Sequence, residues 1–532
     1  MLNQKIKILY FLPLLLTISL IAKTFSYTEI HNIPTSVEKD YYIWCYLKQS
    51  NTSKFQADKI IREISHNNKR LKKAYKKKTG KTILPEMIQA CNPIIRKTGI
   101  VPMVQITNRL SRKERILQKK KNKLALKHFR TFKNKAQRWQ KGTLASEVYI
   151  FNHSSKKERE KYFDKILSAK TIQILESYKS FGKSVRLILD EKLPKLQKSL
   201  LHSPTLNNRL SALSHFKLGL HAIEAKKFEL SQNFFYHSAA RATKQWDKDK
   251  ANFWNYLLSN NEDYVDKLLE STHVNMYTLL AQDIRGIDYA HIKIPHFTKK
   301  HKPAYDSTDP LAWGRLKIKI NKPHSNLNTL AEKFKYEDTV GIYSFIKAQA
   351  QNYTTSYFPM PYKQYIKHLP KKRQAVLYAI ARQETRFIAA SISPAFALGM
   401  MQFMPFLIKD IAKKKGEHLN DFELFKPKKA LEYGEYHLNY LSKYLSHPLF
   451  IAYAYNGGIG FTRKLLRDKN YFRKGKFEPY LSMERMTNIE SREYGKRILV
   501  NYVIYMNQLG VKTRMTPLIE TLVYPSKTDK FR

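Results

Sequence analysis

Across 532 residues, 96 Lys and Arg against 43 Asp and Glu leave a formal charge of +53, and 43% hydrophobic residues are too many for a chain disordered throughout. A mean hydropathy of -0.51 excludes a bundle of membrane spans. Glycine supplies only 17 residues, well below the usual share of about 7%, which disfavours glycine-rich nucleotide loops and sandwiches and makes long helices the default. The length suits roughly three or four domains or one long repeat array. The charge predicts attraction to nucleic acid, anionic lipid and acidic wall polymers alike. A Lys-rich chain with much Ile, Asn and Tyr is equally what an AT-rich genome produces.

In chain order, residues 1–26 read as a secretory signal: Lys5 and Lys7 precede an apolar run from Ile8 to Ile21, with small residues near Thr24 and Ser26. At about fourteen residues the run is shorter than the roughly 20 a spanning helix needs, although an uncleaved anchor fits too. No Cys follows it, so lipid attachment there is not expected. Cys45 and Cys91 are the only cysteines, and in an oxidising compartment they either form one bridge or stay free.

Residues 27–286 repeat apolar positions three and four apart and are expected to form an α-superhelical domain. Within Arg109 to Trp139, Ala125, Phe129, Phe132, Ala136 and Trp139 make one stripe, and the lysines around it read either as an anion-binding face or as a solvated one. Gly219 to Arg241 reads as a helical hairpin broken near Lys226 and Lys227, and a second pair centres on Phe253, Trp254, Leu257 and Tyr277. Such pairs bury their faces by stacking on neighbours. Residues 287–360 are expected to be a linker and connecting helical region, loop-rich around Pro295, Pro303, Pro310 and Pro323. A compact unit spans 361–515, and 516–532 reads as a tail.

Two suggestive patterns fail on chemistry. Lys78 to Thr82 imitates the end of a phosphate-binding loop, but Tyr75 stands where that loop requires Gly. His291, His296 and His301 recur every five residues, which is not one helical face, and no acidic or Cys ligand accompanies them. No metal site and no cofactor are expected.

Ala375 to Phe387 reads as a helix with Leu377, Ile380 and Phe387 on its apolar stripe, and Glu384 falls on the same stripe. Burial raises a carboxyl pKa, as a general acid near neutral pH requires. The alternative is a structural Glu neutralised by Arg382 or Arg386. Ser393-Pro394, within Ser391 to Pro405, also reads as a helix cap and first turn. Tyr455 and Asn456 precede a tight turn at Gly457-Gly458, and Thr487 with Glu490 makes a candidate capping box ahead of a face bearing Tyr494, Ile498 and Tyr502.

Taken in order, these segments, about Tyr357 to Leu509, resemble the catalytic domain of the soluble lytic transglycosylases, a goose-lysozyme-like fold. The carrying residues are Arg382-Gln383-Glu384-Thr385-Arg386-Phe387, Ser393, Gly399 to Pro405, Ala454 to Gly458 and Glu490 to Gly495, with Tyr357-Phe358-Pro359 leading in. The resemblance implies an all-α protein, an N-terminal α-superhelical solenoid followed by a lysozyme-like, mainly helical catalytic domain. It implies that Glu384 alone is acid and base, cleaving the MurNAc-GlcNAc bond of peptidoglycan into a 1,6-anhydro product. Ser393, Gln402, Met404, Tyr455, Asn456, Glu490 and Tyr494 would line the substrate groove. Phe396 stands where the family usually has Gly and would crowd the loop after Ser393, narrowing the groove. Gly495 replaces a Val and would loosen its helix.

The expected partner is the peptidoglycan glycan strand, in the periplasm of a Gram-negative bacterium. Peripheral association with membrane or wall is compatible with the charge; nucleic acid is not expected, and no obligate protein partner is inferred. The competing readings are a muramidase that cuts the same bond with water and a non-catalytic wall-binding protein.

Overall fold

A computed structural model describes residues 24–84, 144–178, 180–202, 210–301 and 304–532. The part of the expected export segment before Thr24, Cys91 and the Arg109 to Trp139 stripe lie outside the described residues, and with Cys91 lies its pairing with Cys45. What is described is all-α, apart from the two-residue strands Ile292–Lys293 and Ser356–Tyr357, which pair in parallel. No helix among the described residues is long and apolar enough to cross a membrane.

The helical hairpin forms where its pattern predicts. Ser211 caps Ala212–Glu224 by accepting from the Ser214 amide, Lys226 turns the chain at φ 58°, and Phe228–Arg241 returns. Gln245–Ser259 follows and ends at Asn260, a residue type that tolerates the left-handed conformation it adopts at φ 52°. The apolar faces meet in a ladder of rings: Phe216 lies 5.1 Å from Phe235, which stacks 5.5 Å from the fully buried Trp254. Each ring contributes roughly 1.5–3 kcal/mol by leaving water. Met276–Ile284, capped by Asn275, closes this stacked array.

Three segments depart from the expected domain plan. The helices Val37–Lys48 and Lys69–Thr79, expected within the superhelical domain, share one hydrophobic core with the 361–515 unit, a core that also takes in Phe253 and Tyr277 of the array. Their buried aromatics, Tyr41 and Trp44 among them, find partners there rather than in the array. Pro310, read as a loop marker, opens a helix, Pro310–Ile320. The Asp309 carboxylate accepts from the Leu311 and Ala312 amides, and a first-turn proline forfeits no intrahelical bond. The expected tail is packed structure: Ile519 and Leu522 are fully buried, and the Arg532 guanidinium donates to the Phe472 carbonyl at 2.6 Å.

The 361–515 unit is built around Ile489–Gln508, buried along most of its length between Lys371–Thr385 and Pro448–Gly457. Gly495 makes that packing possible rather than loosening it. A Cβ there would stand 2.3 Å from a Tyr453 ring carbon and 2.8 Å from Leu449, so a Val could enter only by displacing Tyr453.

The array and the 361–515 unit are joined by a buried polar cluster. Lys496, with no exposed surface, donates to both Glu484 carboxylate oxygens at 2.7 and 2.8 Å. Tyr277, from the last helix of the array, donates to Glu484 at 2.6 Å. Burial pushes the Lys496 ammonium pKa down, and the Glu484 and Glu493 charges oppose that fall.

Candidate active site

Glu384 sits in the last turn of Lys371–Thr385. The helix ends two residues earlier than the periodicity predicts, because Arg386 and Phe387 both turn left-handed, at φ 55° and 65°. Such a conformation costs a non-glycine residue roughly 1–2 kcal/mol, offset here by packing of the Phe387 ring against Tyr378 and Tyr505. Ending the helix there leaves the Glu384 side chain partly accessible at the edge of the core.

The carboxyl accepts a hydrogen bond from the Tyr494 hydroxyl at 2.7 Å. Burial lifts its pKa to about 7; the Tyr494 bond pulls it down, and the charge of Glu490 pushes it up. At neutral pH the group is therefore divided between its acid and its base forms.

Neither nearby arginine neutralises it. Arg382 donates to the Tyr357 carbonyl at 2.8 Å and to Asn501 at 2.6 Å, with its guanidinium 3.6 Å from the Phe358 ring centre. Arg386 lies 5.5 Å from the ring centres of Phe345 and Tyr353. The ion-paired structural Glu allowed by the sequence is not what forms.

Tyr455 and Asn456 end the helix Pro448–Gly457, and Gly458 at φ 86° breaks it before Ile459–Arg467 begins. Tyr455 donates to the Met401 carbonyl at 2.8 Å, and the negative charge of Glu384 helps burial raise the Tyr455 hydroxyl pKa. Asn456 donates to Glu490 at 3.3 Å and accepts from Ser491 at 2.7 Å. Glu490 is exposed and serves no capping box, since Asn488 rather than Thr487 caps Ile489–Gln508.

Ser393, Gln402 and Met404 lie on the loop that follows the Glu384 helix, where their contacts are architectural. Ser393 caps no helix; its hydroxyl accepts from the Ala397 amide at 2.9 Å, inside a turn. Gln402, left-handed at φ 54°, donates to the Gly399 carbonyl at 2.9 Å. Met404 caps Pro405–Lys415 with its backbone and stays partly exposed. Thr385 donates to the Met400 carbonyl at 3.0 Å, tying this loop to the residue beside Glu384. No hydrogen bond among the described residues joins Ser393 or Met404 to Glu384.

Phe396 does not narrow a groove. It is fully buried at φ 63°, its ring 5.5 Å from Tyr41 and 5.6 Å from Trp44, on the side of the N-terminal helices. Sequence reasoning missed Ser491, which orients Asn456, and His437, whose ring lies 5.5 Å from Tyr455. Ser491 lies within the Glu490 to Gly495 motif, which gave it no role of its own, and no motif marks His437. No group of three His, Cys, Asp or Glu among the described residues could hold a metal ion.

Fold and site together define an all-α protein with one buried, tyrosine-bonded carboxyl at a helix end and a second carboxylate near it. Residues 362–477 match the family model for the transglycosylase SLT domain. Among curated proteins, the chain is 24% identical over 246 residues to the soluble lytic murein transglycosylase of Escherichia coli K12, covering 44% of this chain and 37% of that one. It is 32% identical over 126 residues to a putative soluble lytic murein transglycosylase of Haemophilus influenzae, covering 23% and 21%. The match therefore spans little more than a third of the first relative's length. Among solved structures, the lytic transglycosylase Slt of Pseudomonas aeruginosa aligns at 14% identity and TM-score 0.45, over 87% of this chain and 79% of that one.

Proposed function

We propose that the chain is a peptidoglycan lytic transglycosylase of the periplasm, acting on the MurNAc-β-1,4-GlcNAc bond without water. The observation that carries this reading is Glu384, held near pKa 7 by burial and positioned by Tyr494. The protonated carboxyl gives its proton to the glycosidic oxygen as the C1–O bond breaks. The resulting carboxylate withdraws the proton of the MurNAc C6 hydroxyl, whose oxygen bonds to C1 and closes the 1,6-anhydro ring. The proton count balances, and one group serves twice. An internal nucleophile benefits from effective molarities of roughly 10⁵ M or more when well oriented.

In this reading Tyr494 and Tyr455 flank the reacting carboxyl, while Asn456 and Glu490 face the sugar. Ser393, Gln402 and Met404 supply the opposite wall, and the +53 charge draws the chain to the carboxylates of the stem peptides. Mass spectrometry of the soluble products from isolated peptidoglycan tests it: 1,6-anhydro-MurNAc ends support the transglycosylase. A second reading, hydrolysis, is favoured by Glu490, an exposed carboxylate close enough to raise the Glu384 pKa and so a candidate base for water. Its signature is a reducing MurNAc end.

Tyr494→Phe isolates the hydrogen bond. The bond favours the charged carboxylate, so its loss raises the Glu384 pKa further and keeps the acid form to higher pH. The basic limb of the kcat/KM profile should move upward, with peak activity about tenfold lower. An unmoved limb in the pH profile would detach Tyr494 from the reacting group.

A further inference from the structure

The loop that carries Ser393, Gln402 and Met404 is held at its tip by side chains that come from 326 and 325 positions away in the chain. Asn68 donates from Nδ2 to the Pro394 carbonyl at 2.9 Å, and Arg70 donates from Nη1 to the Ala395 carbonyl at 2.9 Å. These are the two exposed residues between Ser393 and the buried Phe396. Both donors are fixed by the start of one helix, Lys69–Thr79. Asn68 is its cap, and its Oδ1 accepts from the Arg70 and Leu71 amides, both at 2.9 Å. One carboxamide thus caps the helix and grips the loop.

The third point of attachment is Phe396. A non-glycine residue at φ 63° is held there by a pocket in which Tyr41 and Trp44, both from Val37–Lys48, contribute two walls. Between these anchors the turn is short and closed. The Phe396 amide donates to the Ser393 carbonyl at 2.8 Å, the Ser393 amide donates to the Ala397 carbonyl at 3.0 Å, and Gly399 donates to Ser391 at 3.0 Å. Any shift of the tip therefore carries Ser393 with it.

We infer that Asn68 and Arg70 are positioning residues for substrate binding: the N-terminal helical segment clamps the Ser393 loop and sets the wall of the groove opposite Glu384. The inference rests on the transglycosylase reading for what the groove binds, and on the contacts alone for the clamp. It also gives the N-terminal segment a task distinct from that of the helical array, and explains why it packs on the catalytic unit.

The test uses the full chain with Asn68→Asp and Arg70→Met combined. Asp caps a helix as well as Asn but replaces the Nδ2 donor with an oxygen that faces the Pro394 carbonyl. Met keeps the apolar stem of Arg70 and loses its donors. Hydrogen exchange at the amides of residues 392–403 should quicken about tenfold while the Glu384 helix is unchanged. With peptidoglycan as substrate, KM should rise about tenfold, kcat should stay within about twofold, and the pH limbs set by Glu384 should not move. Unchanged exchange overturns the clamp. Faster exchange with an unchanged KM overturns the positioning role and leaves a structural contact. Failure of the transglycosylase reading is separately visible in the parent, either as reducing MurNAc ends or as inactivity matching its Glu384→Gln variant on peptidoglycan; inactivity removes the positioning role as well.

Discussion

Glu384→Gln should fold, keep its affinity for glycan strands and release no soluble product, with turnover down by at least about 10⁴-fold. General acid-base catalysis by one group typically contributes about 10²–10⁴-fold, and in the proposed mechanism a single carboxyl performs both transfers. The amide preserves shape and can still accept from Tyr494, so a loss of turnover cannot be assigned to a lost hydrogen bond. The same substitution has a stability signature. Because burial raises the folded-state pKa of Glu384 to about 7, its contribution to stability is full below the ordinary carboxylate pKa and is lost as pH rises through 7. Above that pH the parent carries an ionised carboxylate in a poorly hydrated site, at about 3 kcal/mol. The Gln variant carries none. Its thermal midpoint should therefore match the parent near pH 4 and exceed it at pH 8, as calorimetry at the two pH values would show. Equal midpoints at pH 8 would mean that the carboxyl is better solvated than its position implies.

Lys496→Met should be the most destabilising single change at the junction of the array and the 361–515 unit. Lys496 and Glu484 are both essentially without exposed surface, and their bonds to each other and to Tyr277 are what offset the cost of burying two charges. Removing one partner of such a pair typically costs about 3–5 kcal/mol, because the other charge is left buried and unpaired. Replacing both is far milder. In urea titrations Lys496→Met alone should lose most of that range, and adding Glu484→Gln should restore the larger part. If the double variant is as unstable as the single one, the cluster does not act as a pair.

The sequence showed the chemistry of the site more clearly than its framework. Glu384 stood out as a carboxylate on an apolar helical stripe, a pattern that an ion-paired structural Glu also fits, and only the resemblance of the ordered motifs implied a site role for it and for Tyr494. The hairpin from Ala212 to Arg241 was legible from its apolar periodicity. What could not be read were contacts between residues hundreds of positions apart. Phe396 looked like an obstruction because local sequence does not reveal which side of a loop a ring faces, and its partners Tyr41 and Trp44 lie in a distant helix. Gly495 looked like a weak point because the ring of Tyr453, which a Cβ would strike, is on another helix. Thr487 and Asn488 are both good caps, and only the backbone decides between them.

The central claim is that the nucleophile is the sugar's own C6 hydroxyl rather than water. Digesting isolated peptidoglycan in water enriched in heavy oxygen, with Glu384→Gln alongside, addresses it directly by mass spectrometry of the released fragments. The account predicts fragments ending in 1,6-anhydro-MurNAc that carry no label from solvent and are absent with the variant. Labelled, reducing MurNAc ends would contradict it and assign the second carboxylate, Glu490, to activating water.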